Sequence, residues 1–256
     1  MSSVDVHHEL TGAPDAPVLV LAGPLGGTLR LWDAVVQELA GRFRLLRYDH
    51  RGHGGSPVPA GPYTMADLGG DALVLLDRLG IERATFCGIS LGGMAGIWLG
   101  AHAPERLSAL VLCSTTAHFA DSGPWQERGA VVRWAGTSSI APEVVARWFT
   151  PDWAARHQEV VNQARQMIAD TSDEGYASCC AAVATWDGRR LLGRISAPTL
   201  VIAGAADPST PVTPHARTIA AGVSGATLEV LDAAHLVTVE QAKRVADLLA
   251  EHATGR

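Results

Sequence analysis

Long apolar runs are missing from this 256-residue chain. No stretch approaches the ~18 consecutive apolar residues that a membrane-crossing helix needs, so no membrane association is expected. The opening MSSVDVHHELTGAPDAP lacks a basic cluster followed by an apolar core. No secretory signal is therefore visible, and the expected location is cytoplasmic. Positive charge is also in short supply. Lys and Arg number 20 against 26 Asp and Glu, for a formal net charge of −6, and no basic stripe appears. Nucleic acid is thereby excluded as an expected partner. The four cysteines, Cys87, Cys113, Cys179 and Cys180, have no metal-ligand spacing. Neither a metal site nor a disulfide framework is indicated. Cys87 and Cys113 fall in apolar, strand-like runs and act there as small hydrophobes, while Cys179-Cys180 reads as helix packing.

What is present is a globular composition, with 47% hydrophobic and 18% charged residues. Residues 1–256 can bury one core in one domain, with room for an insertion. Apolar runs at 17–22, 43–48, 83–88, 107–113, 198–207 and 227–235 read as strands. Helical patterns alternate with them at 29–40, 65–79, 91–102, 212–221 and 237–252. Strands this apolar, alternating with helices, imply an α/β fold with a mostly parallel sheet covered on both faces. Between about 117 and 190 the alternation stops. Helical patterns at 124–136, 142–149, 153–170 and 173–186 follow one another without a strand, and five of the seven tryptophans lie here. This predicts a helical cap over the carboxyl edge of the sheet, where ligands of open α/β sheets bind.

The segment TFCGISLGGMAG places Ser90 between Gly88 and Gly92, with a strand pattern before it and a small-residue helix after it. A sharp strand-to-helix turn would present the serine outward and leave no room for side chains two positions to either side. The first N–H groups of the helix would face any anion forming beside Ser90. A G-x-S-x-G match alone is weak; its strand and helix context gives it weight.

A nucleophilic serine needs a base, and the base needs an orienting carboxylate. In sheet hydrolases these follow in the order Ser, acid, His, each after a strand. Asp207 ends the strand LVIAGAAD, and His235 follows TLEVLD just before the last helix. The candidate catalytic residues are therefore Ser90, Asp207 and His235. His50 and His53 read as stabilisers of a Gly-rich loop, and His118 opens the insertion. An oxyanion needs two backbone donors. Leu91 supplies one; the other comes from the loop AGPLGG, where Pro24 has no N–H and Leu25 is the choice.

Nearly the whole chain resembles the α/β-hydrolase fold family, through DHRGHGGS (49–56), GISLGG (88–93), VIAGAADPSTP (201–211) and AAHL (233–236). Within that family it looks like the 3-oxoadipate enol-lactonases. The finer match lies in GPLGGTLRLWD, APERLSALVLCST, RWFTPDW and EGYASCCAAVATWD. Many hydrolases have His-Gly where this chain has Gly23-Pro24 before the donor. The resemblance implies an unsaturated five-membered lactone bearing a carboxymethyl group as substrate, opened to 3-oxoadipate in protocatechuate and catechol degradation. It implies no metal and no organic cofactor. The substrate carboxylate should meet a cation of the insertion, where Arg128, Arg133, Arg147 and Arg156 are candidates. Arg133 beside Trp134 is the first choice for substrate binding.

Two other readings compete. One is a generic carboxylesterase or cofactor-free perhydrolase of the same fold. Another is a non-catalytic ligand receptor with a vestigial triad, against which the intact Ser90, Asp207 and His235 argue. Relatives with aspartate as nucleophile are excluded by Ser90. Oligomeric state is not legible.

Overall fold

Continuous apolar sequence marks strands buried on both faces, and six such runs form the body of one seven-stranded sheet. The computed structural model describes residues 3–255. The strands are β1 (His8–Thr11), β2 (Val18–Ala22), β3 (Arg44–Tyr48), β4 (Ala84–Ile89), β5 (Leu107–Cys113), β6 (Thr199–Gly204) and β7 (Thr227–Leu231). Their order across the sheet is β1-β3-β2-β4-β5-β6-β7, with β1 antiparallel to β3 and all other neighbours parallel. Every residue of β4 and β6 is buried, whereas the edge strand β7 is partly exposed throughout. The sequence did not announce β1: HELT holds one aliphatic residue, and its half-exposed edge position asks for no more.

Helices cover the sheet. They are α1 (Asp33–Leu39), α2 (Met65–Arg78), α3 (Leu91–His102), α4 (Gly123–Ala135), α5 (Ala141–Ala146), α6 (Pro151–Arg156), α7 (Gln158–Ala169), α8 (Asp173–Ala184), α9 (Arg217–Gly222), α10 (Val237–Glu240) and α11 (Ala242–Thr254). The boundaries of β5 and α3 coincide with the apolar runs that predicted them. Elsewhere single helical patterns break in two. Residues 153–170 fall across α6 and α7, because the first begins at Pro151 and ends at His157. The 237–252 pattern is interrupted at Gln241, whose backbone is non-helical. The 29–40 pattern opens as a 3-10 turn over Leu29–Trp32.

Two features of this topology position a site. The chain runs from β2 to β3 on one side, then crosses back to β4 on the other side of β2. Connections therefore leave the carboxyl ends of β2 and β4 in opposite directions and open a crevice between them, where open α/β sheets bind ligands. The loop after β2 contains Leu25, and Ser90 follows β4 directly. Five helices, α4 to α8, occupy the chain between β5 and β6. Within that stretch the strand-like pairing among described residues is a single bridge between His118 and Asp187.

Candidate active site

The turn after β4 is as tight as its glycines require. Ser90 has φ 55° and ψ −113°, a left-handed backbone that a non-glycine residue rarely adopts. A Cβ on Gly88 would lie 2.2 Å from the Gly92 carbonyl oxygen, and one on Gly92 would lie 2.4 Å from the Ala22 oxygen. Both contacts are with backbone, so neither side can give. The turn is held from two directions. The Ser90 N–H donates to the Cys113 oxygen at 3.0 Å, and the Thr115 hydroxyl donates to the Ser90 carbonyl at 2.7 Å. The strained serine is thus fixed to the neighbouring strand β5 and left half-exposed above the sheet.

Asp207 and His235 come from the ends of the next two strands. They meet at 2.8 Å through Asp207 Oδ2 and His235 Nδ1, both buried. The second duties of the Asp207 carboxylate are taken by the Ser209 and Thr210 N–H groups and the Thr210 hydroxyl at 2.7 Å. Burial by itself raises the Asp207 carboxyl. The His235 charge, with hydrogen bonds from His235 and Thr210, outweighs it and holds the group below the usual carboxylate range. Asp207 is an anion at neutral pH, and its bond fixes His235 with Nδ1 protonated and Nε2 free.

Ser90 and His235 line one cavity, with Pro24, Leu25 and Thr210 on the sheet side. The cavity holds about 410 Å³ of free space when its open mouth is included. The Leu25 and Leu91 N–H groups make no hydrogen bond to other described residues, which leaves both available as donors. The β2 loop is braced by two buried histidines. The Gly26 N–H donates to His53 Nε2 at 2.9 Å, while His50 Nε2 donates to the Gly23 oxygen at 3.0 Å. Those partners demand opposite tautomers, both neutral. His53 Nδ1 then donates to the Arg51 oxygen at 3.1 Å. Burial, reinforced by His53, depresses His50 to about 3, and burial also lowers His53.

The cap supplies the opposite wall through Trp125, Arg128, Arg147, Trp148 and Tyr176. Here the structure corrects the sequence. Arg133 and Trp134 do not reach the cavity. They lie on the outer face of α4: Arg133 pairs with the exposed Glu174 at 2.9 Å, and Trp134 is 89% exposed. Helical phase decides this, since Arg128, Gly129 and Val132 turn inward while Glu127, Ala130, Val131 and Arg133 turn out. Arg156 is exposed as well. His118 is turned to the Trp186 carbonyl at 3.4 Å and lines a separate surface pocket with His215. Arg128 shares one stripe of α4 with Trp125 and Val132, a spacing present in the sequence that does not by itself say which stripe faces the cavity.

The chain matches the description "alpha/beta hydrolase fold" over residues 17–242. It belongs to the alpha/beta hydrolase family. Among its relatives in that family, 3-oxoadipate enol-lactonase 2 of Acinetobacter baylyi is 42% identical over 93% of this chain and 89% of its own length. The 3-oxoadipate enol-lactonase 1 of the same organism is 35% identical over 92% of this chain and 88% of its own. The enol-lactonase of Burkholderia xenovorans superposes with a TM-score of 0.95 at 37% identity, covering 98% of this chain and 97% of that one. As an alpha/beta hydrolase, this chain carries its serine on the turn after β4 and its acid and histidine after β6 and β7. Among the described residues, no cluster of three or more His, Cys, Asp or Glu is placed to hold a metal ion. No helix among them is long and apolar enough to cross a membrane.

Proposed function

We propose that this alpha/beta hydrolase opens 3-oxoadipate enol-lactone to 3-oxoadipate by covalent serine catalysis. The observation that carries the chemistry is the buried Asp207–His235 pair opening into the same cavity as the strained Ser90. The substrate follows from two enol-lactonase relatives that are similar along nearly the full chain.

In this mechanism Ser90 Oγ attacks the lactone carbonyl carbon while His235 Nε2 accepts the hydroxyl proton. The oxyanion of the tetrahedral intermediate is met by the Leu25 and Leu91 N–H groups. Collapse breaks the ring C–O bond, and His235 returns its proton to the departing enolate. The enol tautomerises to a ketone, which removes the leaving group as a competing nucleophile. Water, deprotonated by His235, then attacks the acyl-Ser90 ester and releases the second carboxylate. Asp207 stays ionised throughout and stabilises the imidazolium. No metal or organic cofactor takes part in this scheme. Its occupant is a small-molecule lactone rather than a nucleic acid or a membrane, and the cytoplasmic location expected from the sequence goes with it.

The test is a substrate panel of the enol-lactone, followed by loss of ultraviolet absorbance, beside simple 4-nitrophenyl esters. Efficient lactone opening that is lost in Ser90→Ala supports the reading. Turnover of simple esters with no lactone opening would make the protein a generic carboxylesterase of the same fold. Turnover of neither would leave the receptor reading.

A further inference from the structure

Each oxyanion donor is one end of a planar peptide unit, and the other end of that unit is a carbonyl. In a trans peptide the N–H and C=O point in opposite directions. Whatever holds the carbonyl therefore aims the N–H, and it also polarises the unit so that the N–H donates more strongly. The Leu25 N–H shares its peptide with the Pro24 carbonyl, which accepts from the Gly27 N–H at 3.1 Å in a tight turn. That donor is aimed from behind by backbone. The Leu91 N–H shares its peptide with the Ser90 carbonyl. This oxygen accepts twice, from the Met94 N–H of α3 at 3.0 Å and from the Thr115 hydroxyl at 2.7 Å. The second bond comes from outside the helix, from the segment that follows β5, and it is the shorter of the two.

Three further features accompany this contact, and two of them are unfavourable. Ser114, directly before Thr115, has φ 39°; with Ser90 it makes up the non-glycine residues of positive φ among those described. The Ser114 hydroxyl is buried without a hydrogen-bond partner. Backbone strain and an unsatisfied polar group persist only where the surrounding structure over-determines them, and they cluster at functional sites. The third feature lies on the facing helix start, which carries no side chain where Thr115 packs. A Cβ on Gly93 would lie 2.6 Å from the Thr115 Cβ. The last glycine of GISLGG therefore has a duty different from those of Gly88 and Gly92: it clears the approach of Thr115 to the elbow.

We propose that Thr115 is a positioning residue of the oxyanion hole: its hydroxyl, held to the Ser90 carbonyl, aims and polarises the Leu91 N–H. The inference rests on the covalent-serine reading above and deepens it, since the Leu91 donor matters only if an oxyanion forms beside Ser90. Thr115 is buried and does not line the cavity of Ser90 and His235. Its effect should therefore fall on the tetrahedral species and not on the binding that precedes it. The titration of His235 should be untouched, while each step that passes through an oxyanion slows together.

The experiment measures hydrolysis of 4-nitrophenyl acetate beside the affinity of butylboronic acid, which adds to a nucleophilic serine as a tetrahedral anion. Thr115→Val keeps the shape and deletes the hydroxyl. It should lower kcat/KM about ten-fold, mainly through kcat, which is less than the roughly 10²–10³ that follows outright loss of an oxyanion donor. The boronate Ki should weaken by the same factor, with the pH midpoint of kcat/KM unmoved. Thr115→Ser should recover most of the loss, and Thr115→Cys, whose thiol is a weak donor, should lie between. Thr199→Val is the control. Thr199 is buried and donates to the Ala197 carbonyl at 2.8 Å where β6 begins, so its loss should lower stability and leave both readouts alone. Parental kcat/KM in Thr115→Val would overturn the assignment. So would a loss that boronate affinity does not share, or one that moves the pH midpoint, because the damage would then lie in the fold or in His235. If Thr115→Val does not fold, Thr115→Cys decides, and parental values of both readouts in that variant overturn the assignment. Thr115 dependence with 4-nitrophenyl acetate but no opening of the enol-lactone would retire the lactone and keep the assignment. Lactone opening that is lost in Ser90→Ala but indifferent to Thr115→Val would do the reverse.

Discussion

At the scale of single residues, the site depends on positions where size or backbone freedom leaves no alternative. Gly92 is the sharpest case. Its missing Cβ would stand 2.4 Å from the Ala22 oxygen, on a strand that is paired on both sides and cannot move away. Gly92→Ala is therefore expected to lose most activity and at least ~2 kcal/mol of stability. Denaturant unfolding monitored beside ester turnover checks both, and a variant within error of the parent would mean the turn is softer than described. Ser90 itself is more informative through chemistry. A phosphonate probe should label it alone, and Ser90→Ala should lower turnover by several orders of magnitude, as loss of one triad member generally does. His235→Ala should abolish the labelling of Ser90 as well, because the hydroxyl is then left without its base.

At the scale of loops and helices, the segment after β3 stands out, because it holds the oxyanion loop without lining the cavity of Ser90 and His235. His50 and His53 grip Gly23 and Gly26, one as donor and one as acceptor, and each does so as a neutral ring. The consequence for stability has a definite sign. The His50 ring titrates at its ordinary 6.5 when unfolded and at about 3 when folded. Between those values the unfolded chain binds the extra proton. The stability that neutral His50 allows is present in full above pH 6.5 and is lost progressively on acidification towards 3. The slope is about 1.4 kcal/mol per pH unit for one such group. Thermal unfolding from pH 7 down to 4 should show this decline, and His50→Gln should flatten it. A second joint lies at α10. The Glu240 carboxylate accepts from the Ala234 N–H at 2.7 Å, next to His235, and from the Thr150 hydroxyl at 2.6 Å, where the cap turns into α6. The Leu236 N–H adds a bond to the Trp148 oxygen at 2.8 Å. Cap and catalytic-histidine loop are thus tied through one side chain. Glu240→Ala should lower kcat and cost on the order of 2 kcal/mol by stranding the Ala234 N–H, whereas Glu240→Gln, which keeps an acceptor, should retain most of both.

At the scale of the whole molecule, the sheet and the cap divide the work. The sheet carries the covalent machinery on the ends of β4, β6 and β7, and the α4–α8 segment closes the cavity above it. The buried Arg51–Asp71 pair, bidentate at 2.6 Å for both contacts, pins the His50–His53 loop to α2 on the far side. Asp71→Asn should weaken this anchor, because Arg51 then keeps Asp67 at 3.6 Å but loses its bidentate buried carboxylate, a loss of about 1.5–3 kcal/mol for hydrogen bonds to a charged group. Chemical denaturation reads this directly, and a loss below ~1 kcal/mol would show that other partners of Arg51 carry the charge.

What the sequence determined by itself is whatever depends on local spacing or on unbroken burial. β5 and α3 were legible to the residue because full burial leaves an uninterrupted apolar run, and the elbow was legible because only glycine fits at 88 and 92. The order Ser90, Asp207, His235 followed from strand ends, since each side chain stands where an apolar run stops. Leu25 could be chosen over Pro24 from covalent structure alone. What only the tertiary structure decided depends on which way a surface faces. β1 was invisible because an edge strand needs no apolar signature. Arg128 and Arg147 could not be separated from Arg133 and Arg156 by composition, because all four are arginines on or directly after cap helices. Their roles divide by a rotation of about 100° per residue around the helix axis. That rotation has meaning only once α4 and α5 are seated above Ser90, with one face toward the cavity and the other toward water.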